Sequence, residues 1–432
     1  MEGIKVRGGR PLYGTTAIPG AKNSVLPVMA ASLLCSGRVV LENVPHLSDV
    51  EAAARILQSV GCRVLASERM LAVTPAREPR SEIPPDLMKA MRSSLFFLAP
   101  LLSRTGRARI TAPGGCNLGA RPIDMHLSGL EQMGARITQQ GEFLLLEAPH
   151  GLRGEQITLR FPSVGATETL LMAACCARGE TVLAGCSIEP EVVDLARFLQ
   201  SAGACIVGVG TRCLRIQGRP ELGATRYRIC PDRIAAATVL CAAAGCGGRV
   251  TVERVRPEDL GAVLRILRRG GCRVEEGEDW IELEREGGLR APGMLLTDVH
   301  PAFPTDAAPL VAAAMLRAEG STTITDTIFE NRFACAEGFL AMRAACGVQG
   351  RSICVQGVPR LAGAQVTAPD LRGGAALVLA ALQAEGDSVI AGLGHIARGY
   401  EDLAGTLAQL GARISYVRRV QARPLYENVP CV

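Results

Sequence analysis

The stretch LQSVGCRV, Leu57 to Val64, reads as the end of an amphipathic helix, a glycine stop at Gly61 and the start of a strand. The same grammar returns as LEQMGARI from Leu130, LQSAGACI from Leu199, LRRGGCRV from Leu267 and LAQLGARI from Leu407, with a degenerate copy, MRAACGVQ, from Met342. The period is roughly 70 residues, so the 432-residue chain reads as about six copies of one supersecondary unit.

A second pattern lies between these copies. A polar start leads into an apolar, Ala-rich helix, then a glycine, then a β-branched strand. It reads GAKNSVLPVMAASLLCSG from Gly20, MRSSLFFLAPLLSRTG from Met91, SVGATETLLMAACCARG from Ser163, PDRIAAATVLCAAAGCG from Pro231, PTDAAPLVAAAMLRAEG from Pro304 and PDLRGGAALVLAALQAEG from Pro369. Helices apolar nearly all round belong in the centre of a domain, and the amphipathic helices of the first pattern belong outside. Six units sorted three and three predict an α/β (α+β) protein of two similar domains.

The starts of these inner helices concentrate charge and capping groups. Asn23, Ser163, Asp232, Thr305 or Asp306, and Asp370 are cap-type residues, and Lys22, Arg92, Arg233 and Arg372 stand beside a start. Helix N-termini carry free N–H groups and partial positive charge, so several of them facing one cleft predict an anion site, phosphate above all.

Composition supports a small anionic substrate rather than a polymer. Apolar residues make up 48% and aromatics 3%, so the core is built from Ala, Leu, Val and Ile. The net charge of +5 is spread along the chain and implies no nucleic-acid partner. The opening MEGIKVRGGR lacks an apolar leader, and no apolar run is long enough to span a bilayer. A cytoplasmic protein without membrane contact is the expectation. The sixteen cysteines form no CxxC pair and mostly occupy Ala-like positions, and the five histidines are scattered. Buried thiols in a reducing compartment, and no metal, are expected. GVGTRCLRIQG reads as a hairpin with its glycines in the turn.

One cysteine departs from this pattern. In PGGCNLGARPID, Pro113 to Asp124, Cys116 follows Gly114 and Gly115 and precedes Arg121. The glycines let the segment swing, and a nearby guanidinium favours thiolate.

GAKNSVLP, MRSS, PGGCNLGARPID, SVGAT, PDRI, HPAFPTD, FENRF, DLRG and HIARGYE occur in this order. Over essentially the whole chain, Ile4 to about Arg418, they resemble the UDP-N-acetylglucosamine 1-carboxyvinyltransferase (MurA) family of the EPSP synthase superfamily. That resemblance implies two EPSP synthase-like inside-out α/β barrels, residues 21–230 and residues 1–20 with 231–420, with the active site between them and a tail at 421–432. It implies transfer of the enolpyruvyl group of phosphoenolpyruvate to the 3′-hydroxyl of UDP-N-acetylglucosamine with release of phosphate, the first committed step of peptidoglycan synthesis. No cofactor and no metal are implied, and a monomer is expected.

By the same resemblance Cys116 is the acid that protonates C3 of phosphoenolpyruvate and the target of fosfomycin. Lys22, Arg121 and Arg398 hold phosphoenolpyruvate, with Asn23 beside Lys22 and with Arg332 and Arg372 as further cations. Asp306 is the base at the sugar hydroxyl, and Asp370 is its rival or partner. The nucleotide-sugar runs along Arg92, the segment Arg121, Pro122, Ile123, Asp124 and Met125, the segment Phe161, Pro162, Ser163, Val164 and Gly165, and then Asp306 and Ile328. Two positions depart from the family pattern. Phe161 and Pro162 stand where a lysine is common, with Arg160 close by, and Ser48 replaces another common lysine. Two other readings fit parts of the pattern: the same transfer onto shikimate 3-phosphate, and a catalytically silent UDP-sugar-binding protein.

Overall fold

The structure is a computed structural model and describes residues 3–111 and 123–417. Among these it contains six sheets, one for each repeat. The fifth repeat shows the plan. Gly293–Leu296 runs parallel to Ser321–Thr325, which pairs antiparallel with Ser352–Gln356, which in turn pairs with Ala345–Gln349. Between the first two strands lies the buried helix, and between the second and the hairpin lies the outer helix.

Three sheets are completed by distant segments. Leu12–Ala17 is the parallel neighbour of Gly248–Glu253, and Thr225–Arg228 that of Val39–Glu42. In the sixth sheet Gly3–Arg7 sits between Asp387–Ala391 and Arg413–Val417, where the other repeats have a hairpin strand. The described chain therefore divides into two compact units, residues 3–19 with 231–417, and residues 20–111 with 123–230.

The repeated glycine stop has one geometry. Gly61, Gly134, Gly203, Gly271 and Gly411 have φ between +91° and +102°. In each case the next amide reaches back across the helix end, as when Cys62 N donates to Leu57 O at 2.9 Å and Cys272 N to Leu267 O at 3.1 Å. The degenerate copy sits three residues earlier than its spelling suggests. Ala344 N donates to Phe339 O at 3.0 Å, and Arg343 takes the left-handed position with φ +63°. Gly347 is a strand residue. Phe339 thus takes the place of Leu57, and a side chain occupies a conformation that glycine fills in the other five copies.

In the unit with 231–417, the helices Arg233–Cys246, Ala308–Ala314 and Leu371–Gln383 pack against one another as the core. Small residues permit this. A Cβ on Gly245 would lie 2.7 Å from Gln383 Nε2, which donates to Ala313 O at 2.8 Å. In the other unit the inner layer comprises Lys22–Ala31, Leu98–Thr105 and Val164–Cys175. The run from Met91 does not form one α-helix. Arg92–Phe97 is 3-10, and the α-helix begins at Leu98, two residues before Pro100. Pro100 has no N–H to extend an α-helical ladder backwards, so it sits in the first turn.

Candidate active site

In the unit with 231–417, the start of the inner helix Leu371–Gln383 and the turn after the strand Ser321–Thr325 place two buried arginines beside Asp306. Arg332 Nη2 donates to Asp306 Oδ1 at 3.1 Å. Arg372 donates to Oδ2 through Nε at 3.2 Å and Nη2 at 3.1 Å. The arginine side chains are 1% and 3% exposed, whereas Asp306 is 26% exposed. Both guanidiniums thus donate from the buried side to a carboxylate that is itself partly exposed.

Each arginine has its own support. Arg372 Nη1 donates to Tyr400 Oη at 3.3 Å, and Tyr400 lies 2.8 Å from Thr238 Oγ1, which donates to Ile234 O at 2.7 Å. Burial disfavours the Arg372 charge, but Asp306 and then Tyr400 and Asp232 hold its pKa above the ordinary value. Burial pushes the Tyr400 phenol up, so it remains a neutral hydroxyl. Tyr400 also ties the HIARGYE segment, and hence the half-buried Arg398, to this network. Arg332 Nε donates to Thr305 Oγ1 at 3.0 Å, and the Thr305 hydroxyl donates to Asp326. Asp326 Oδ1 accepts from the amides of Ile328 at 2.8 Å and Phe329 at 2.7 Å.

Two cap expectations are corrected here. Thr305 and Asp306 lie inside a short 3-10 turn whose cap position is Pro304, because their side chains are committed to Asp326 and to the arginines. Asp370, by contrast, caps Leu371–Gln383, with Oδ1 accepting from Arg372 N at 3.0 Å and Gly373 N at 2.9 Å. Asp232 caps Arg233–Cys246 through Ile234 N at 2.8 Å and Ala235 N at 2.9 Å.

In the other unit the helix Lys22–Ala31 begins after Ala21, so Asn23 lies within its first turn, exposed, and is not the cap. Lys22 Nζ is 2.9 Å from Asp49 Oδ2, with both side chains largely buried. Ser163 caps Val164–Cys175, accepting from Ala166 N at 3.3 Å. That leaves the amides of Val164 and Gly165 at the open end of a twelve-residue helix. The helix Asp124–Gln132 packs on it, with His126 Nδ1 2.9 Å from Thr169 Oγ1. A Cβ on Gly165 would lie 3.0 Å from His126 Cε1, a tight contact that the glycine avoids. Arg160 forms an ion pair with Asp124, and this bond holds the Asp124 carboxyl below its ordinary range. The structure thus brings the Ile123–Met125 segment, Arg160 and the Ser163–Gly165 helix start together. Phe161 is exposed and Pro162 half-buried beside them.

Cys116, Arg121 and Pro122 lie outside the described residues. Arg92 opens the 3-10 helix. Among the described cysteines, eight of fourteen are buried, and burial pushes the Cys35 and Cys186 thiols up to about 12. Among the described residues no group of three or more His, Cys, Asp or Glu could hold a metal, and no helix is long and apolar enough to cross a membrane.

A model of the EPSP synthase (3-phosphoshikimate 1-carboxyvinyltransferase) family matches residues 6–407. The chain belongs to the EPSP synthase family. Within this family, it is 43% identical over 414 residues to UDP-N-acetylglucosamine 1-carboxyvinyltransferase 2 of Caldanaerobacter subterraneus subsp. tengcongensis, covering 96% of this chain and 99% of that protein. It is 45% identical over 421 residues to UDP-N-acetylglucosamine 1-carboxyvinyltransferase 1 of Symbiobacterium thermophilum, covering 96% and 95%. Among solved structures, the enolpyruvyl transferase NikO from Streptomyces tendae superposes with a TM-score of 0.86 at 27% identity, covering 96% of this chain and 98% of that one. EPSP synthase from Acinetobacter baumannii shares the fold, with a TM-score of 0.73 at 20% identity over 97% of this chain and 100% of that one.

Sequence reasoning missed Asp49, Asp326 and Tyr400. Asp49 directly follows Ser48 and Tyr400 sits inside HIARGYE, but neither residue type signals a guanidinium or ammonium partner without the fold. Asp326 precedes FENRF by three residues, at the end of a strand.

Proposed function

We propose that this chain transfers the enolpyruvyl group of phosphoenolpyruvate to the 3′-hydroxyl of UDP-N-acetylglucosamine, releasing phosphate. It would do so as a monomer in the cytoplasm, at the entry to peptidoglycan synthesis. The observation that carries this reading is Asp306. Its carboxylate is held by two buried guanidiniums while itself staying 26% exposed, in a chain whose relatives of that activity match over nearly their whole length.

The roles are those the family resemblance implies, and the chemistry fits them. Asp306 takes the proton of the 3′-hydroxyl as that oxygen bonds to C2 of phosphoenolpyruvate. The Cys116 thiol gives a proton to C3, which completes a tetrahedral ketal. Loss of a proton from C3 and cleavage of the C2–O bond to phosphate then regenerate the vinyl group on the sugar. Lys22, Arg121 and Arg398 hold the phosphate and carboxylate as charge shifts towards the leaving group. Asp49 directs the Lys22 ammonium, the Ser163–Gly165 helix start receives the diphosphate, and Ile123–Met125 frames the base. Arg160 supplies the cation that Phe161 and Pro162 do not, and its pairing with Asp124 keeps it beside that helix start. Asp370 Oδ1 caps its own helix start, and the resemblance names Asp306 as the base.

The test is phosphate release from phosphoenolpyruvate with UDP-N-acetylglucosamine, and separately with shikimate 3-phosphate. Turnover with the sugar nucleotide alone is expected. Turnover with shikimate 3-phosphate alone would move the chain to the other branch of the family, and none with either would favour the silent sugar-binding reading.

A further inference from the structure

We propose that Asp326 is a positioning residue for the acceptor half of the reaction, setting the direction of Arg332 and, through it, of Asp306. This rests on the reading of Asp306 as the base. Asp326 is 0% exposed, and its two oxygens do different work. Oδ1 closes the turn after the strand Ser321–Thr325 by accepting from Ile328 N at 2.8 Å and Phe329 N at 2.7 Å. That alone would account for a capping aspartate. Oδ2, however, takes the Thr305 hydroxyl proton and lies 3.8 Å from Arg332 Nε.

The consequence is a fixed order of donors. Because the Thr305 hydroxyl spends its proton on Asp326, its lone pairs face Arg332 Nε, which donates to it at 3.0 Å. With Nε held there, and the guanidinium stacked over the Phe329 ring at 4.6 Å, the planar group presents Nη2 to Asp306 Oδ1 at 3.1 Å. The carboxylate of Asp326 also shares the Arg332 charge. With Asp326 neutral, the whole attraction of Arg332 would fall on Asp306, whose anion would be held more firmly and accept a proton less readily. The same residue fixes the backbone at Ile328, a proposed sugar-nucleotide contact. One buried carboxylate therefore couples the direction of the base to the seat of the acceptor.

Asp326→Asn keeps the size and the acceptor for the turn but removes the charge. We expect kcat to fall ~10-fold with the KM for phosphoenolpyruvate within about twofold of wild type, because Asp326 acts on Arg332 and Asp306, whereas Lys22, Arg121 and Arg398 are the groups assigned to hold the donor. In the double variant Asp306→Asn/Asp326→Asn the second substitution should cost nothing further, since Asp326 acts through Asp306. If Asp326→Asn does not fold, Thr305→Val, which removes the bridging hydroxyl, carries the same expectations. A kcat within about twofold of wild type, a parallel rise in the KM for phosphoenolpyruvate, or losses that multiply in the double variant would overturn the proposal. Asp306→Asn turning over normally would sink the base assignment and this proposal with it. A slow Asp306→Asn beside a normal Asp326→Asn would sink this proposal alone.

Discussion

Replacing Glu168 with Gln should make the protein more stable, and increasingly so as the pH rises. Glu168 lies on the inner helix Val164–Cys175, is 0% exposed, and neither carboxylate oxygen has a hydrogen-bond partner among the described residues. Burial first, and then the neighbouring Glu191 and Glu189 carboxylates, push its pKa well above the ordinary value of 4.5. The folded protein therefore retains a proton that the unfolded chain releases above pH 4.5. With a raised folded pKa, the contribution to stability is complete below the unfolded value and declines as pH climbs towards the folded one. The decline is up to ~1.4 kcal/mol per pH unit. Gln has nearly the same shape and no proton to lose, so Glu168→Gln should match wild type near pH 5 and gain on it at each step above. For a unit of about 200 residues, that is a Tm difference widening by ~3–6 °C per pH unit. The assay is thermal unfolding of both proteins at pH 5.5, 6.5, 7.5 and 8.5, at one salt concentration. A gap that is constant with pH, or a variant less stable throughout, would refute the reasoning and mean that Glu168 is charged and paired.

Asp306→Asn should lower kcat by ~100-fold or more, equivalent to ~2.7 kcal/mol in the barrier, while UDP-N-acetylglucosamine binding by calorimetry changes little; lost binding with preserved turnover would contradict the base role. Cys116→Asp should keep turnover and Cys116→Ser should lose it, and mass spectrometry of fosfomycin-treated wild type should show a single adduct on Cys116. Arg343→Gly should stabilise the protein by ~1 kcal/mol in thermal unfolding, because it relieves a left-handed side-chain conformation; destabilisation would mean that the Arg343 side chain contributes more than its backbone costs.

The six-fold repeat was legible because a buried helix, a glycine stop and a β-branched strand each leave a local signature. Arg343 shows the limit of spelling. With glycine absent from the stop, the eye moves to Gly347, whereas the chain follows the helix-end hydrogen bond of Ala344 N to Phe339 O at 3.0 Å. The run from Met91 misled for a similar reason, since apolar continuity hides the effect of one proline on the ladder. In the candidate site, Lys22, Asp306, Arg332 and Arg372 could be named from motifs. Their partners could not: Asp49 lies 27 residues beyond Lys22, and Asp326 lies 21 beyond Thr305. Only the folding of each repeat back on itself brings those side chains into contact. Asn23 reads as a cap because it is the first amide side chain of its helix, but the helix has already begun at Lys22.

The most direct test is turnover of phosphoenolpyruvate with UDP-N-acetylglucosamine in deuterium oxide, read by mass spectrometry of the sugar nucleotide. Addition–elimination through a C3 methyl predicts a product heavier by the enolpyruvyl group and carrying solvent deuterium in its vinyl carbon. A vinyl group free of deuterium, or no enolpyruvyl sugar nucleotide at all, would contradict the account.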